Sequence, residues 1–180
     1  MSKKEILNKN QVDTILNRLV CQLLENHTFL ENTVLIGLQP RGVFLLDKLI
    51  YIIKNDYGIK NINYGKLDIT FFRDDFRRSN KQLTANFSKM NISVEGKKVI
   101  LIDDVLYTGR SIRSALTAID TFGRPVKIEL LVLIDRRYSR ELPIQPDYVG
   151  VQVDTIQNDR VVVQWEGDKK NDSIYLIKDS

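Results

Sequence analysis

The sequence has one cysteine, one histidine and no apolar run long enough to cross a bilayer. With Cys21 alone, no disulfide can close within the chain, and such sparing use of cysteine suits a reducing cytoplasm. Cys21 falls among apolar neighbours on a predicted helix and reads as a small packed residue, not a nucleophile. His27 stands at the end of that helix with no clustered partner, which predicts a surface or capping residue and no metal site. No N-terminal stretch has the form of a signal peptide, so the expectation is a cytoplasmic protein. Excess charge is also small. A net charge of +4 and a pI of about 9.1 suit anionic ligands without implying nucleic-acid binding. A Walker-type nucleotidase is excluded: Gly37 and Gly42 keep half the P-loop spacing, but Val43 and Phe44 follow where Lys and Ser or Thr are required.

The 180 residues suffice for one domain with a substantial core, and 43% hydrophobic and 28% charged residues are ordinary for a globular protein. Asn10, with Asp13 three residues on, predicts the start of a first helix whose Val12, Ile15, Leu16, Leu19, Val20, Leu23 and Leu24 follow helical spacing. Thr33 to Leu38 reads as a buried strand, followed by Gln39-Pro40-Arg41-Gly42 and an apolar helix to about Lys54. Further strands are predicted over residues 67–72, 99–102 and 128–134. The last is almost wholly apolar, as a strand covered on both faces would be. Strands alternating with helices predict an α/β fold with a mostly parallel central sheet flanked by helices. Three stretches break the rhythm: a long polar segment over residues 73–91, an Arg- and Pro-rich segment over 135–150, and a closing hairpin over about 160–178.

Residues 99–111, Val-Ile-Leu-Ile-Asp-Asp-Val-Leu-Tyr-Thr-Gly-Arg-Ser, carry the strongest chemical signal. Four β-favouring apolar residues deliver the paired carboxylates of Asp103 and Asp104. Thr108, Gly109, Arg110 and Ser111 then open an amphipathic helix marked by Ile112, Ala115, Leu116, Ile119 and Phe122, with Gly123 and Pro125 as its stop. An isolated Asp-Asp pair is an ordinary strand end. Placed before a hydroxyl-rich loop at a helix N-terminus, it becomes a hydroxyl-reading pair beside a phosphate cradle. The arrangement fits a sugar phosphate with free ring hydroxyls. In α/β sheets ligands bind at the carboxyl ends of strands, where Arg41 between Pro40 and Gly42 can offer a cation and backbone N–H groups to a pyrophosphate.

The run from Val99 to Ser111 resembles the type I phosphoribosyltransferases, which share the substrate 5-phosphoribosyl 1-diphosphate (PRPP). Together with Arg113, the segment 131–150 and Leu67-Asp68-Ile69-Thr70 followed by Arg73-Asp74-Asp75, it is similar, almost end to end, to the bacterial PyrR family of pyrimidine-operon regulators and uracil phosphoribosyltransferases. The resemblance implies a single phosphoribosyltransferase domain over residues 1–180, with a mobile loop and a C-terminal hood over about 135–155. It implies transfer from PRPP to uracil, giving UMP and pyrophosphate. Asp103 and Asp104 would hold the ribose hydroxyls and favour a cationic ribose. Val105, Leu106, Tyr107, Thr108, Gly109, Arg110 and Ser111 would form the 5′-phosphate loop, and Pro40 and Gly42 the pyrophosphate loop. Arg41 and Arg73 would favour the leaving pyrophosphate, while Asp135 and Arg136 would meet the base, mostly through backbone groups. Mg2+ would be held mainly by PRPP and water, with Asp103 and Asp104 as its candidate protein ligands. The sequence offers no evident general base. A homodimer or higher homo-oligomer is also implied.

Two departures stand out. Relatives usually carry Thr where this chain has Pro40. Type I enzymes tend to hold a cis peptide in that loop, so Gln39–Pro40 is expected to be cis. RNA-binding relatives place Thr, Arg, His and Arg along the first helix; Asn17, Arg18, Cys21 and Asn26 stand here. The hood cations of those relatives fall against Tyr138 or Ser139, Gln145 and Val151, leaving Arg18, Arg137 and Arg140 as the candidate RNA contacts. Two alternatives remain open at this level: an RNA-binding attenuation regulator with little catalysis, and a phosphoribosyltransferase acting on a purine base.

Overall fold

The computed structural model describes residues 2–27, 30–72, 93–155, 159–165 and 172–178. In chain order the elements are β1 (Ser2–Leu7), α1 (Lys9–Asn26), β2 (Thr33–Leu38), α2 (Gly42–Asn55), β3 (Asn63–Leu67) and β4 (Lys98–Leu106). There follow α3 (Arg110–Ile119), β5 (Lys127–Arg137), β6 (Tyr148–Asp154), β7 (Arg160–Gln164) and β8 (Ser173–Lys178). Five strands pair in parallel in the order β3-β2-β4-β5-β6, while β1, β8 and β7 form a separate antiparallel sheet. Every residue of β2 is buried, as a central strand covered on both faces requires. One apolar layer packs Leu35, Ile100, Ile102 and Leu131 against Leu16 and Leu19 of α1 and Leu45 and Leu49 of α2. The other packs Ile36, Leu101 and Val132 against Ile112, Ala115 and Ile119 of α3.

Several elements differ from the sequence expectation. Helix α1 starts at Lys9, because Asn8 and Gln11 form a reciprocal cap: Gln11 N–H donates to Asn8 Oδ1 (3.1 Å) and Asn8 N–H to Gln11 Oε1 (2.9 Å). Asn10 is therefore not the cap, and Asp13 instead pairs with Lys9 at 3.3 Å. The strand expected over 67–72 ends at Leu67. There the Asp68 carboxylate accepts from the N–H (2.8 Å) and hydroxyl (2.5 Å) of Thr70 and turns the chain. Leu116, placed on the buried face of α3, is 36% exposed, and Ser114 is buried instead. The strands expected over 99–102 and 128–134 both run on, to Leu106 and Arg137, because their parallel ladder continues to the Leu106–Asp135 pair. Part of the segment read as a hood is therefore sheet: Asp135 to Arg137 belong to β5, and residues 148–154 form the edge strand β6. Strand β1 was not foreseen.

His27 caps the C-terminus of α1, but it is only 4% exposed and does not lie on the surface. Its Nε2 lies 2.6 Å from Glu129 Oε2 and 3.1 Å from the Tyr148 hydroxyl, so one histidine joins α1 to the starts of β5 and β6. Cys21 is half-buried, with its Sγ 2.9 Å from the Tyr57 hydroxyl. No helix among the described residues is long and apolar enough to cross a membrane.

Candidate active site

The site is assembled at the carboxyl ends of β2, β4 and β5. After β2, the Gln39–Pro40 bond is cis and Arg41 leads into α2. A Cβ on Gly42 would lie 2.3 Å from the Ile102 carbonyl oxygen and 3.0 Å from Asp103 Cα. Only glycine lets this loop lie against β4, which sets exposed Arg41 near the acidic pair.

Asp103 and Asp104 sit within the last turn of strand pairing rather than beyond it. Asp104 N–H donates to Asp103 Oδ1 at 2.9 Å. The second oxygen of Asp104, Oδ2, is buried and has no hydrogen-bond partner among the described residues. A buried acceptor without a donor is costly, and a ligand hydroxyl would satisfy it. Burial, reinforced by the Asp104 charge, pushes the Asp103 carboxyl up to about 8, against the pull of the Asp104 N–H and of Arg41. Burial also raises Asp104, opposed chiefly by Arg41. The pair thus holds a proton more readily than free carboxylates do, and titrates as a unit.

Val105 and Leu106 are the last residues of β4, and Leu106 is buried in the core, so its side chain is closed to a ligand. Tyr107, Thr108 and Gly109 form the loop proper. Gly109 stands at the N-cap of α3 with φ +90° and has no side chain to cap it; the one local bond, from Arg110 N–H to Thr108 Oγ1, is long at 3.4 Å. The first-turn N–H groups, next to the Thr108 and Ser111 hydroxyls, are thereby left available to an anion. Arg110 is turned outward onto Glu141, its Nε 2.6 Å from Oε2.

Asp135 and Arg136, expected together at the base, serve different partners. Arg136 is buried and lies over the Tyr107 ring, 3.9 Å from its centre. It donates to Thr155 Oγ1 (3.1 Å) and to the Asp159 carbonyl (2.8 Å). Asp135 pairs with Arg140 and faces a cavity of about 500 Å³ whose walls include Tyr138, Ile144 and Gln152. Residues 141 and 142 fold back on the loop that leads into α3, their N–H groups donating to the Thr108 carbonyl at 3.0 and 3.3 Å. Arg73 and the rest of the 73–91 segment lie outside the described residues.

The three arginines considered for RNA are all bonded within the protein. Arg18 donates to the carbonyls of Val149 (3.2 Å) and Gly150. Arg137 grips Asp154 with two bonds of 2.6 and 2.7 Å across the β5–β6 ladder, and Arg140 binds Asp135 and three carbonyls. Sequence reasoning missed Thr155, Asp159 and the Thr108 carbonyl. Their contacts join residues 19 to 34 positions apart, and no local pattern marks them.

Fold and site together define a phosphoribosyltransferase-type protein, and a family model described as "Phosphoribosyl transferase domain" matches residues 2–169. Solved structures share the fold at low identity. A hypoxanthine phosphoribosyltransferase from Staphylococcus aureus superposes with a TM-score of 0.67 at 19% identity, covering 88% of this chain and 81% of its own. Among curated proteins, the chain is 42% identical to "Bifunctional protein PyrR" of Microcystis aeruginosa, covering 97% of each. It is 40% identical to the "Pyrimidine operon regulatory protein" of Lactococcus lactis, over 99% of this chain and 98% of that one. The chain belongs to the PyrR family of phosphoribosyltransferases.

Proposed function

We propose that this chain transfers the phosphoribosyl group of PRPP to uracil, giving UMP and pyrophosphate, with residues 1–180 acting as one catalytic unit in the cytoplasm. The observation that carries the reading is the buried Asp104 Oδ2, without a hydrogen-bond partner among the described residues, beside Asp103 and one loop away from a helix N-terminus whose cap is a glycine. Two acceptors for vicinal hydroxyls and a cradle for a 5′-phosphate are what a ribose phosphate needs. The names of the relatives support uracil as acceptor.

In this reading Thr108, Gly109 and Ser111, with the first-turn N–H groups of α3, bind the 5′-phosphate. Asp103 and Asp104 accept hydroxyls from the ribose, and the negative charge the pair carries once it releases its proton favours the cationic character that grows on the sugar as its bond to pyrophosphate stretches. Arg41 balances charge on the departing pyrophosphate, and the family resemblance gives Arg73 the same role. The backbone of Asp135 and Arg136 holds the base. The residues present suit Mg2+: one orphaned carboxylate oxygen and a neighbouring carboxylate, with no cluster of three or more His, Cys, Asp or Glu among the described residues. Such a site matches a cation that keeps most of its waters and takes the rest of its ligands from substrate phosphates. When bound with PRPP, Mg2+ supplies positive charge to the pyrophosphate and ribose oxygens.

The test is a Mg2+-dependent assay with PRPP and, separately, uracil, hypoxanthine, guanine and orotate. UMP formed from uracil alone is the expected result; a purine nucleotide as product overturns the choice of base. Regulation through RNA is the second reading, supported by the regulatory names of the relatives. That reading predicts nucleotide-dependent RNA affinity that weakens steeply with salt, with a slope of about −0.7 per phosphate contacted, although Arg18, Arg137 and Arg140 are each bonded within the protein. The family resemblance also supports a homodimer or larger homo-oligomer.

A further inference from the structure

The geometry points to Arg140 as a positioning residue of the active site: one guanidinium fixes the phosphate loop, the base strand and the hood relative to one another. Its Nη1 donates to the Tyr107 carbonyl in the phosphate loop and, at 3.4 Å, to the Arg136 carbonyl at the end of β5. Its Nη2 binds Asp135 Oδ1, and its Nε donates to the Ile144 carbonyl at 3.0 Å. Gln152 approaches the other Asp135 oxygen at 3.5 Å. The Arg140 side chain is 22% exposed and that of Asp135 8%, so these bonds are largely shielded from water.

The arrangement needs an arginine. Four acceptors lie on three separate chain segments, and only a planar group with five N–H donors reaches them all at once. A lysine would keep the charge but present a single nitrogen. The segments held are the ones that meet substrate in the reading above: the phosphate-loop residue Tyr107 and the base-strand residues Asp135 and Arg136. Four hydrogen bonds engage its guanidinium within the protein, and its effect on transfer passes through the position of the groups that meet substrate.

This inference rests on the phosphoribosyltransferase reading, so the wild-type protein is measured first. Calorimetric binding of UMP, and transfer from PRPP, establish that reading; neither occurring in the wild type refutes it independently of Arg140. Arg140→Lys, Arg140→Gln and Arg140→Ala are then compared by thermal unfolding, by KM for PRPP and uracil, and by kcat. The expected result is a loss of roughly ten- to a hundredfold in kcat/KM for both substrates in all three variants, the scale of a small misplacement of reacting groups. The readout specific to positioning is rescue: millimolar guanidinium should restore transfer by Arg140→Ala, while methylammonium and sodium chloride at equal ionic strength should not. If Arg140→Lys transfers like the wild type, or if all three variants lose RNA affinity with transfer unchanged, the inference is overturned. A variant that fails to unfold cooperatively is replaced by Asp135→Asn. That change removes the charge partner alone and should lower kcat/KM in the same direction; an unchanged value overturns the inference as well.

Discussion

The Arg136 guanidinium stacks on the Tyr107 ring at 3.9 Å, which joins the end of β5 directly to the loop that leads into α3. Arg136 is buried, and burial lowers its affinity for the proton while Tyr107 and Asp159 counter that effect. Truncation to Tyr107→Ala should lower kcat/KM for uracil by about three- to thirtyfold, the range expected for a desolvated cation–π contact, whereas Tyr107→Phe retains most activity. Steady-state kinetics on the two variants decide it; equal losses would show that the hydroxyl, and not the ring face, matters.

The acidic pair predicts an unusual pH dependence for the free protein. Asp103 is raised from 3.8 to about 8, so the folded chain holds a proton that the unfolded chain releases between about pH 4 and 8. Its stabilising contribution is complete below pH 4 and is lost as pH rises through about 8. Asp103→Asn cannot titrate. Its melting temperature, measured without magnesium or ligand, should therefore rise relative to the wild type as pH increases across that window. A difference that is flat with pH would remove the assigned shift. The double variant Asp103→Asn, Asp104→Asn should fold and yet transfer no phosphoribosyl group.

Gly42 tolerates no side chain without movement of backbone, because its Cβ would meet the Ile102 carbonyl oxygen at 2.3 Å. In Gly42→Ala the loop between β2 and α2 must lift from β4 and carry Arg41 away from the acidic pair. The expected outcome is a rise in KM for PRPP of tenfold or more, on the order of 1.4 kcal/mol of binding, with far-ultraviolet circular dichroism unchanged. An unaltered KM would place the contact outside the functional region.

His27 and Glu129 make a quite different contribution. They meet at 2.6 Å at the start of β5, the opposite end of the strand from Asp135 and Arg136. Replacing His27 with Ala leaves Glu129 and Tyr148 short of a buried partner and should cost about 1–3 kcal/mol, which lowers Tm by roughly 3–10 °C. Transfer at temperatures well below Tm should be unaffected. A loss of activity without loss of stability would mean that this cluster communicates with the site.

Residues 99–111 show how a strand end, an acidic pair and the start of α3 were legible in the sequence. A fully apolar strand has to end where ligands gather, and paired carboxylates followed by Thr-Gly-Arg-Ser leave few other uses for those side chains. Strands β2, β4 and β5 and the closing hairpin were legible for a related reason: burial on both faces, or alternation on one, is written in neighbouring residues. Long-range pairing decided the rest. Ser2–Leu7 is mostly exposed and polar, and it becomes a strand only because β8 offers it a ladder, with Lys3 lying over Tyr175. His27 looked like a surface residue because its partners Glu129 and Tyr148 lie 102 and 121 positions away. Arg140 looked like a free cation for the same reason, although its bonds reach 33 residues back to Tyr107. Local periodicity and motif chemistry therefore determined strands β2, β4 and β5, the loop into α3 and the acidic pair at the end of β4. Which polar side chains face a ligand, and which hold the fold together, was decided only by tertiary structure, because a donor's role depends on the acceptors that folding brings to it.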